Sequence, residues 1–246
     1  MAIRNILLTV SYDGFDYSGW AVQPGFKTIQ QSLNDAASSL IGSKITVHGS
    51  SRTDAGVHAL GQRALLQVDC PIPTANFQKA LNDRLPSDIA VTDVCEMEMG
   101  FDVIGDVKTK LYRYTIYTGQ IRLVNQIRYC WHYPAVFDIA AMTKAANSFV
   151  GEKDFKSFAS AGDNRQSSVR TIFRCEVKQD GDWINIDVEG SGFLYNMVRN
   201  IVGTLTDVGR GRIAADKISA ILEAKDRTVA GAIAPPEGLC LIKIDY

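Results

Sequence analysis

The stretch Gly49-Ser50-Ser51-Arg52-Thr53-Asp54-Ala55-Gly56-Val57-His58-Ala59-Leu60-Gly61-Gln62 carries the residues best suited to chemistry. Its carboxylate, Asp54, lies two residues after Arg52 and two before Gly56, in a segment too rich in turn formers to be a helix. A loop on a rigid scaffold is where reactive groups are usually presented. A guanidinium beside a carboxylate holds it ionised, the state a nucleophile or base requires. An isolated Arg-x-Asp is more often an exposed turn with a surface ion pair of little worth, so the surrounding residues decide the reading.

A second constellation lies between Phe193 and Val208, which the spacing predicts to be a helix. Phe193, Met197, Ile201 and Leu205 form one apolar row, and Leu194, Val198 and Val202 the next. Asn196, Arg199, Asn200 and Gly203 share a polar, small-residue stripe. An arginine on so apolar a helix either reaches solvent or, if buried, meets a carboxylate or a phosphate. The second alternative would turn Arg199 toward the Asp54 loop or a ligand phosphate. A third feature is the run from Lys110 to Thr118, where Lys110, Tyr112, Tyr114 and Ile116 share one face of a strand and Arg113 takes the other. A tyrosine stripe is more often core or sheet surface, but beside a cationic groove it stacks bases.

Other chemistries fit less well. His48, Asp54 and His58 match no common metal spacing, and Gly56-Val57 disfavours the helix that would align Asp54 with His58; no metal is expected. No nucleophile-elbow pattern is present. Gly209-Arg210-Gly211-Arg212 lacks the preceding strand and following Lys-Ser/Thr of a phosphate loop, and reads as a basic turn able to touch a phosphate backbone.

The elements that must position these residues are legible from periodicity. Ile3 to Tyr12 alternates as a strand. Asp13 to Lys27 is a long glycine- and aromatic-rich loop. Thr28-Ile29-Gln30-Gln31 has the capping-box pattern, opening a helix with Ile29, Leu33, Ala36, Ala37 and Leu40 on its apolar face and Gly42 as its stop. Lys44 to Gly49 and Arg63 to Asp69 read as strands. Thr74 is expected to cap a helix running to about Arg84, and Ile89 to Met97 returns as a strand. The order β-α-β-β-α-β is ferredoxin-like. After residue 105, Lys110 to Thr118 is a strand, Asp138 caps a helix ending near Val150-Gly151, and Thr171 to Lys178 with Trp183 to Gly190 form a hairpin. Helices at Phe193 to Val208 and Ala215 to Ala224 precede a last strand, Leu239 to Tyr246. The expected fold class is α+β, in two halves, 1–104 and 105–246, with no linker between them.

With 246 residues, 46% hydrophobic and 22% charged, the chain has ample core and an ordinary globular balance. A formal net charge of −1 disfavours an overall basic nucleic-acid binder but leaves room for a local basic patch. The odd number of cysteines and the absence of any Cys-x-x-Cys argue against a disulfide framework or a zinc site and point to reduced thiols in the cytoplasm. The longest early apolar run, Ile6-Leu7-Leu8, is too short for a signal peptide core or a membrane span.

Taken in order, these blocks resemble the TruA family of tRNA pseudouridine synthases. Arg52-Thr53-Asp54-Ala55-Gly56-Val57-His58-Ala59 is similar to the family's catalytic motif. Phe15-Asp16-Tyr17-Ser18-Gly19-Trp20 with Thr28-Ile29-Gln30, Ala80-Leu81-Asn82 with Leu85-Pro86, Lys110 to Tyr114, Gly151 to Ser160, Phe193 to Gly203, and Pro235 to Leu239 extend the match along nearly the whole chain. The resemblance implies two ferredoxin-like halves with mainly antiparallel sheets, helices on one face and a central basic cleft. It implies a cytoplasmic homodimer that grips tRNA, with no cofactor, no metal and no membrane. The implied reaction converts uridine to pseudouridine in the anticodon stem-loop, just 3′ of the anticodon. Asp54 falls on the catalytic aspartate, Tyr112 on the tyrosine that stacks on the target uracil, and Arg52 and Arg199 on arginines flanking the aspartate.

The sequence departs from the family at a few places. Ser51 and Ala21 stand where glycine and glutamine are common. Phe101-Asp102-Val103-Ile104-Gly105 stands where Phe-His-Ala-Arg-Phe is frequent, putting Ile104 at the arginine. Two other readings compete: an RNA-binding module without catalysis, and a nucleoside hydrolase that releases free uracil. An intact carboxylate amid phosphate-binding groups counts against the first.

Overall fold

In the strand β1 (Arg4–Tyr12), Ile6, Leu8 and Val10 point to one face and Leu7 to the other, and all four are buried, so both faces of the strand must be covered. A computed structural model describes residues 3–163 and 165–246. It divides the chain into two units, one running through Lys108 and taking back Leu241–Tyr246, the other Thr109–Cys240. Of the second half as read from the sequence, 105–246, residues 105–108 and 241–246 fall in the first unit.

In the first unit β1 lies between two antiparallel neighbours, β3 (His58–Val68) and β4 (Ile89–Met97), with Leu7 opposite Leu65 on one side and Cys95 on the other. The two-residue β2 (His48–Gly49) pairs with β3. The C-terminal residues also join β3, and Lys108 N–H reaches the Asp245 carbonyl at 2.9 Å. Two helices complete the unit. In α1 (Ile29–Ile41), Thr28 Oγ1 accepts from Gln31 N–H and Gly42 closes the helix at φ +79°, as expected from the capping pattern and the glycine stop. Its buried residues are Ile29, Leu33, Ala36 and Ala37. The second helix, α2 (Thr74–Asn82), buries Phe77 and Leu81 and lies against β4. The Leu7 face is closed by Leu65 and Val103, with Phe101 and Tyr246 packed against them.

Two expectations for this unit fail for local reasons. The strand expected over 44–49 shrinks to β2, because Ser38 Oγ takes the Ile45 N–H at 2.9 Å and Asn34 Oδ1 takes the Val47 N–H at 2.8 Å. Side chains of α1 thus occupy the donors that a ladder would use. Thr74 does not cap α2; Pro73 holds that position and Thr74 is the first helical residue. The Thr74 hydroxyl instead accepts from Arg4 Nη2 at 2.6 Å.

The second unit is built on the antiparallel order β5 (Thr109–Tyr117), then β9 (Trp183–Gly190), β8 (Val169–Asp180) and β7 (Gly151–Asp154). One short strand, β6 (Trp131–His132), runs parallel to β5. Tyr112 stands opposite Val188, and Val188 opposite Cys175. The helices are α3 (Ile139–Asn147), capped by Asp138, α4 (Met197–Gly209) and α5 (Ile218–Ala224). The remaining strand, β10 (Leu239–Asp245), begins in this unit and ends in the first. The architecture is mixed α and β with mainly antiparallel strands. Among the described residues no helix is long and apolar enough to cross a membrane.

The helix expected from Phe193 starts four residues later. Asn196 adopts φ +59°, a left-handed conformation that cannot continue into a helix. Phe193 to Asn196 therefore forms a loop before α4, and only Arg199, Asn200 and Gly203 of the polar stripe are helical.

Candidate functional site

Asp54 heads a tight turn in the first unit. Val57 N–H closes it on the Asp54 carbonyl at 3.2 Å, and Gly56 sits at φ +78°, where a side chain would be strained. The residues on either side are fixed from several directions. Gln62, fully buried on β3, accepts from Ser51 N–H at 3.2 Å and donates to the Ser51 carbonyl at 2.6 Å. The Thr53 carbonyl accepts from Trp20 N–H at 3.0 Å, while Thr53 Oγ1 and Tyr12 Oη lie 2.8 Å apart. Gly56 N–H reaches the Tyr17 carbonyl at 3.3 Å, and Gly14 N–H donates to His58 Nδ1 at 3.1 Å.

The long loop 13–27 is thus the bed on which the Asp54 turn rests. Gly19, at φ +88°, lets the two backbones meet; a Cβ there would sit 2.6 Å from the Thr53 carbonyl oxygen. The bed has its own pin. Tyr17 Oη donates to Asp88 Oδ1 at 2.6 Å, and Lys27 Nζ lies 4.0 Å from the Tyr17 ring centre. Burial, and then the bond to Asp88, raise the Tyr17 phenol above its ordinary value.

Asp54 is half-buried and Arg52 is exposed. Among the described residues the Arg52 side chain makes no hydrogen bond or ion pair. The expected pairing of Arg52 with Asp54 is therefore corrected: although residues two apart in an extended segment share a face, the exposed Arg52 side chain faces solvent. Held so, it is available to a solute anion.

Tyr112 and Arg199 lie in the second unit. Tyr112 is buried on β5, and its ring meets the Phe193 ring edge-on at 5.2 Å and 87°. Tyr114, on the same strand face, is core: it is fully buried and donates to the Pro235 carbonyl at 2.8 Å. Burial raises its phenol well above the usual value. Arg199 is half-buried on α4, with Nε donating to the Ala234 carbonyl at 2.8 Å and Nη1 to Asn196 Oδ1 at 3.0 Å.

The small-residue stripe on α4 receives the segment 231–234. Thr204 Oγ1 accepts from Gly231 N–H at 3.0 Å, and a Cβ on Gly203 would overlap the Ala232 carbonyl oxygen. Asn200, fully buried, donates to the Phe158 carbonyl at 2.8 Å and accepts from Arg227 Nη2 at 2.9 Å.

In the departing segment 101–105, Phe101 and Val103 supply the packing. Phe101 packs edge-on against Tyr246 at 4.8 Å and Val103 is buried, while Ile104 is exposed. The Asp102 carboxylate accepts from Ile104 N–H at 2.9 Å, and the Gly105 and Ile104 amides hold it below its ordinary value. Among the described residues no group of three or more His, Cys, Asp or Glu is placed to hold a metal ion.

Sequence reasoning missed the supports of the Asp54 turn: Tyr12, Tyr17, His58 and Gln62. The signals were present in Gly14 and Gly19, glycines in a loop that must admit a second backbone, and in a glutamine set among the apolar residues of a strand.

The comparisons with known proteins cover almost the whole chain. The family model described as tRNA pseudouridine synthase matches residues 8–104 and 145–246. The chain is similar to tRNA pseudouridine synthase A of Caldicellulosiruptor saccharolyticus, at 44% identity over 99% of this chain and 100% of that protein. It is similar also to the protein of the same name from Geotalea uraniireducens, at 43% identity with the same coverage. Among solved structures, an archaeal box H/ACA sRNP Nop10–Cbf5 complex aligns at 11% identity and a TM-score of 0.37, covering 83% of this chain and 44% of that one.

Proposed function

Because this chain belongs to the tRNA pseudouridine synthase family, and so is an isomerase of tRNA uridines, we propose that its target lies in the anticodon stem-loop, just 3′ of the anticodon, and that Asp54 is the carboxylate that acts on it. The observation that supports this reading is the support given to Asp54: a half-buried acid on a turn whose neighbours are hydrogen-bonded on both sides. Preorganisation of this kind is what a reacting group needs.

The reaction breaks the C1′–N1 bond, turns the uracil and joins C5 to C1′; the proton leaving C5 is balanced by one gained at N1. A carboxylate serves it by attacking the sugar or base, or by facing the positive charge that develops at C1′. The target base must first leave its stack. In this proposal Tyr112 stacks on the extruded uracil, which keeps the detached base from being lost to hydrolysis. Arg52 and Arg199 hold backbone phosphates or fill the vacated stack. The reading requires Asp54, Tyr112 and Arg199 to serve one nucleotide, in two ferredoxin-like halves that border a basic cleft. It includes a homodimer acting in the cytoplasm.

The test is carbodiimide-adduct mapping of pseudouridine in tRNA incubated with the protein. A mass-neutral change at the anticodon stem-loop supports the proposal. Conversion only elsewhere in the tRNA would overturn the site assignment, and free uracil on a chromatogram would point to a hydrolase instead.

A further inference from the structure

Among the described residues, two other than glycine adopt a left-handed backbone, Asn196 at φ +59° and Lys225 at φ +51°. Lys225 closes α5, the ordinary use of that conformation. Asn196 instead stands at the entrance of α4, where an N-cap residue is usually extended. Asparagine is among the best N-caps, yet this side chain makes no capping bond. The chain therefore carries backbone strain and forgoes a cap at the same residue. Local helix stability does not account for that choice.

The side chain is used elsewhere. An N-cap oxygen ordinarily takes the backbone N–H of the second or third helical residue; here Asn196 Oδ1 accepts from the side chain of the third, Arg199 Nη1, at 3.0 Å. Asn196 Nδ2 donates to Ser160 Oγ at 3.1 Å. The backbone around it is fixed on both sides. Tyr195 N–H donates to Asp163 Oδ2 at 2.7 Å, the Tyr195 carbonyl accepts from Ser160 N–H at 3.1 Å, and the Asn196 carbonyl accepts from Asn200 N–H at 3.0 Å. A strained conformation persists where its surroundings over-determine it. The Arg199 guanidinium is then held by Asn196 and by the Ala234 carbonyl at 2.8 Å. These two acceptors are uncharged, so they fix its direction without neutralising it.

We propose that Asn196 is a positioning residue for the isomerisation: its left-handed backbone turns the carboxamide to Arg199, and the guanidinium is thereby aimed before RNA arrives. The proposal rests on the role of Arg199 given above. Arginine has a rotamer-rich side chain, and an unrestrained one has to be ordered when its ligand binds. Asn196 removes that step and touches no reacting atom. Glycine would take up the same backbone more readily, but it has no side-chain oxygen to offer the guanidinium.

The test uses the full chain and an anticodon stem-loop RNA, in single-turnover assays at saturating RNA alongside thermal unfolding. Asn196→Gly and Asn196→Ala both remove the carboxamide, but alanine keeps the strain that glycine relieves. Asn196→Ala is therefore expected to melt below Asn196→Gly, while the saturated rate of both falls alike, roughly tenfold. A rate that follows the melting temperature, with Asn196→Gly as fast as the parent, overturns the proposal. A second arm combines Asn196→Gly with Arg199→Met. Arg199→Met alone should slow the reaction at least as much, and adding Asn196→Gly should then slow it by less than about twofold, because the two residues act as a unit. Effects that multiply overturn the proposal, since they assign Asn196 a task apart from Arg199. Failure here and failure of the function are distinguishable. Product from the parent with multiplying effects sinks only the positioning role. An Arg199→Met variant as fast as the parent sinks the role of Arg199 and the proposal with it, and a parent that forms no product sinks the catalytic reading.

Discussion

Gln62 closes both backbone hydrogen bonds of Ser51, accepting from its N–H at 3.2 Å and donating to its carbonyl at 2.6 Å, from a fully buried position on β3. The side chain imitates a neighbouring strand at the point where the ladder gives way to the Asp54 turn. Gln62→Leu keeps the volume and removes both bonds, leaving two buried backbone groups without partners at about 1–3 kcal/mol each. Urea titration should show that loss, and turnover should fall with it. Unchanged stability would mean that water replaces the amide.

Asp54→Ala should abolish pseudouridine formation while tRNA affinity stays within about tenfold, because loss of one carboxylate affects the transition state more than the grip on phosphates. Single-turnover assays and filter binding measure the two separately. A parallel collapse of affinity would assign Asp54 a structural task.

Arg52→Gln should leave stability within about 0.5 kcal/mol, as expected for an exposed residue that makes no hydrogen bond or ion pair among the described residues. Its effect should appear in KM and in a salt slope reduced by about 0.7–0.9. A large change in melting temperature would contradict the solvent-facing placement.

Lys110 gives a pH signature. Its ammonium titrates at about 8 in the folded chain against an ordinary 10.5. Between those values the unfolded chain binds the extra proton, so this group makes stability rise with pH across that window, and below it charges the fold the full cost. Lys110→Met should therefore be more stable than the parent at neutral pH, on the order of 2–3 kcal/mol. The difference should close as pH approaches 10.5. Equilibrium unfolding at several pH values checks both the sign and the window.

Gly203→Ala should destabilise the second unit by about 1–3 kcal/mol, since the added methyl would overlap the Ala232 carbonyl. Moving that segment also disturbs the bond from Arg199 to Ala234. The rate should fall at saturating tRNA, beyond what a smaller folded fraction explains.

Local signals in the sequence determined much of this protein. Thr28 and Gly42 bracket α1 because capping is decided by the few residues at each end. The alternation of buried and exposed residues at the start of β4 follows from the two-residue repeat of a half-buried strand. The ordered motifs around Asp54, Tyr112 and Arg199 are carried by the chain itself, and with them the family. Tertiary structure decided the rest, because hydrogen bonds and burial depend on partners far away in sequence. Asn34 and Ser38 intercept the donors of residues 45 and 47 and shorten β2. Asn196 takes a left-handed turn and delays α4 while Phe193 goes to Tyr112. Arg52 turns to solvent, although its spacing from Asp54 promised an ion pair. A sequence records which groups are near along the chain; only the fold decides which of them meet.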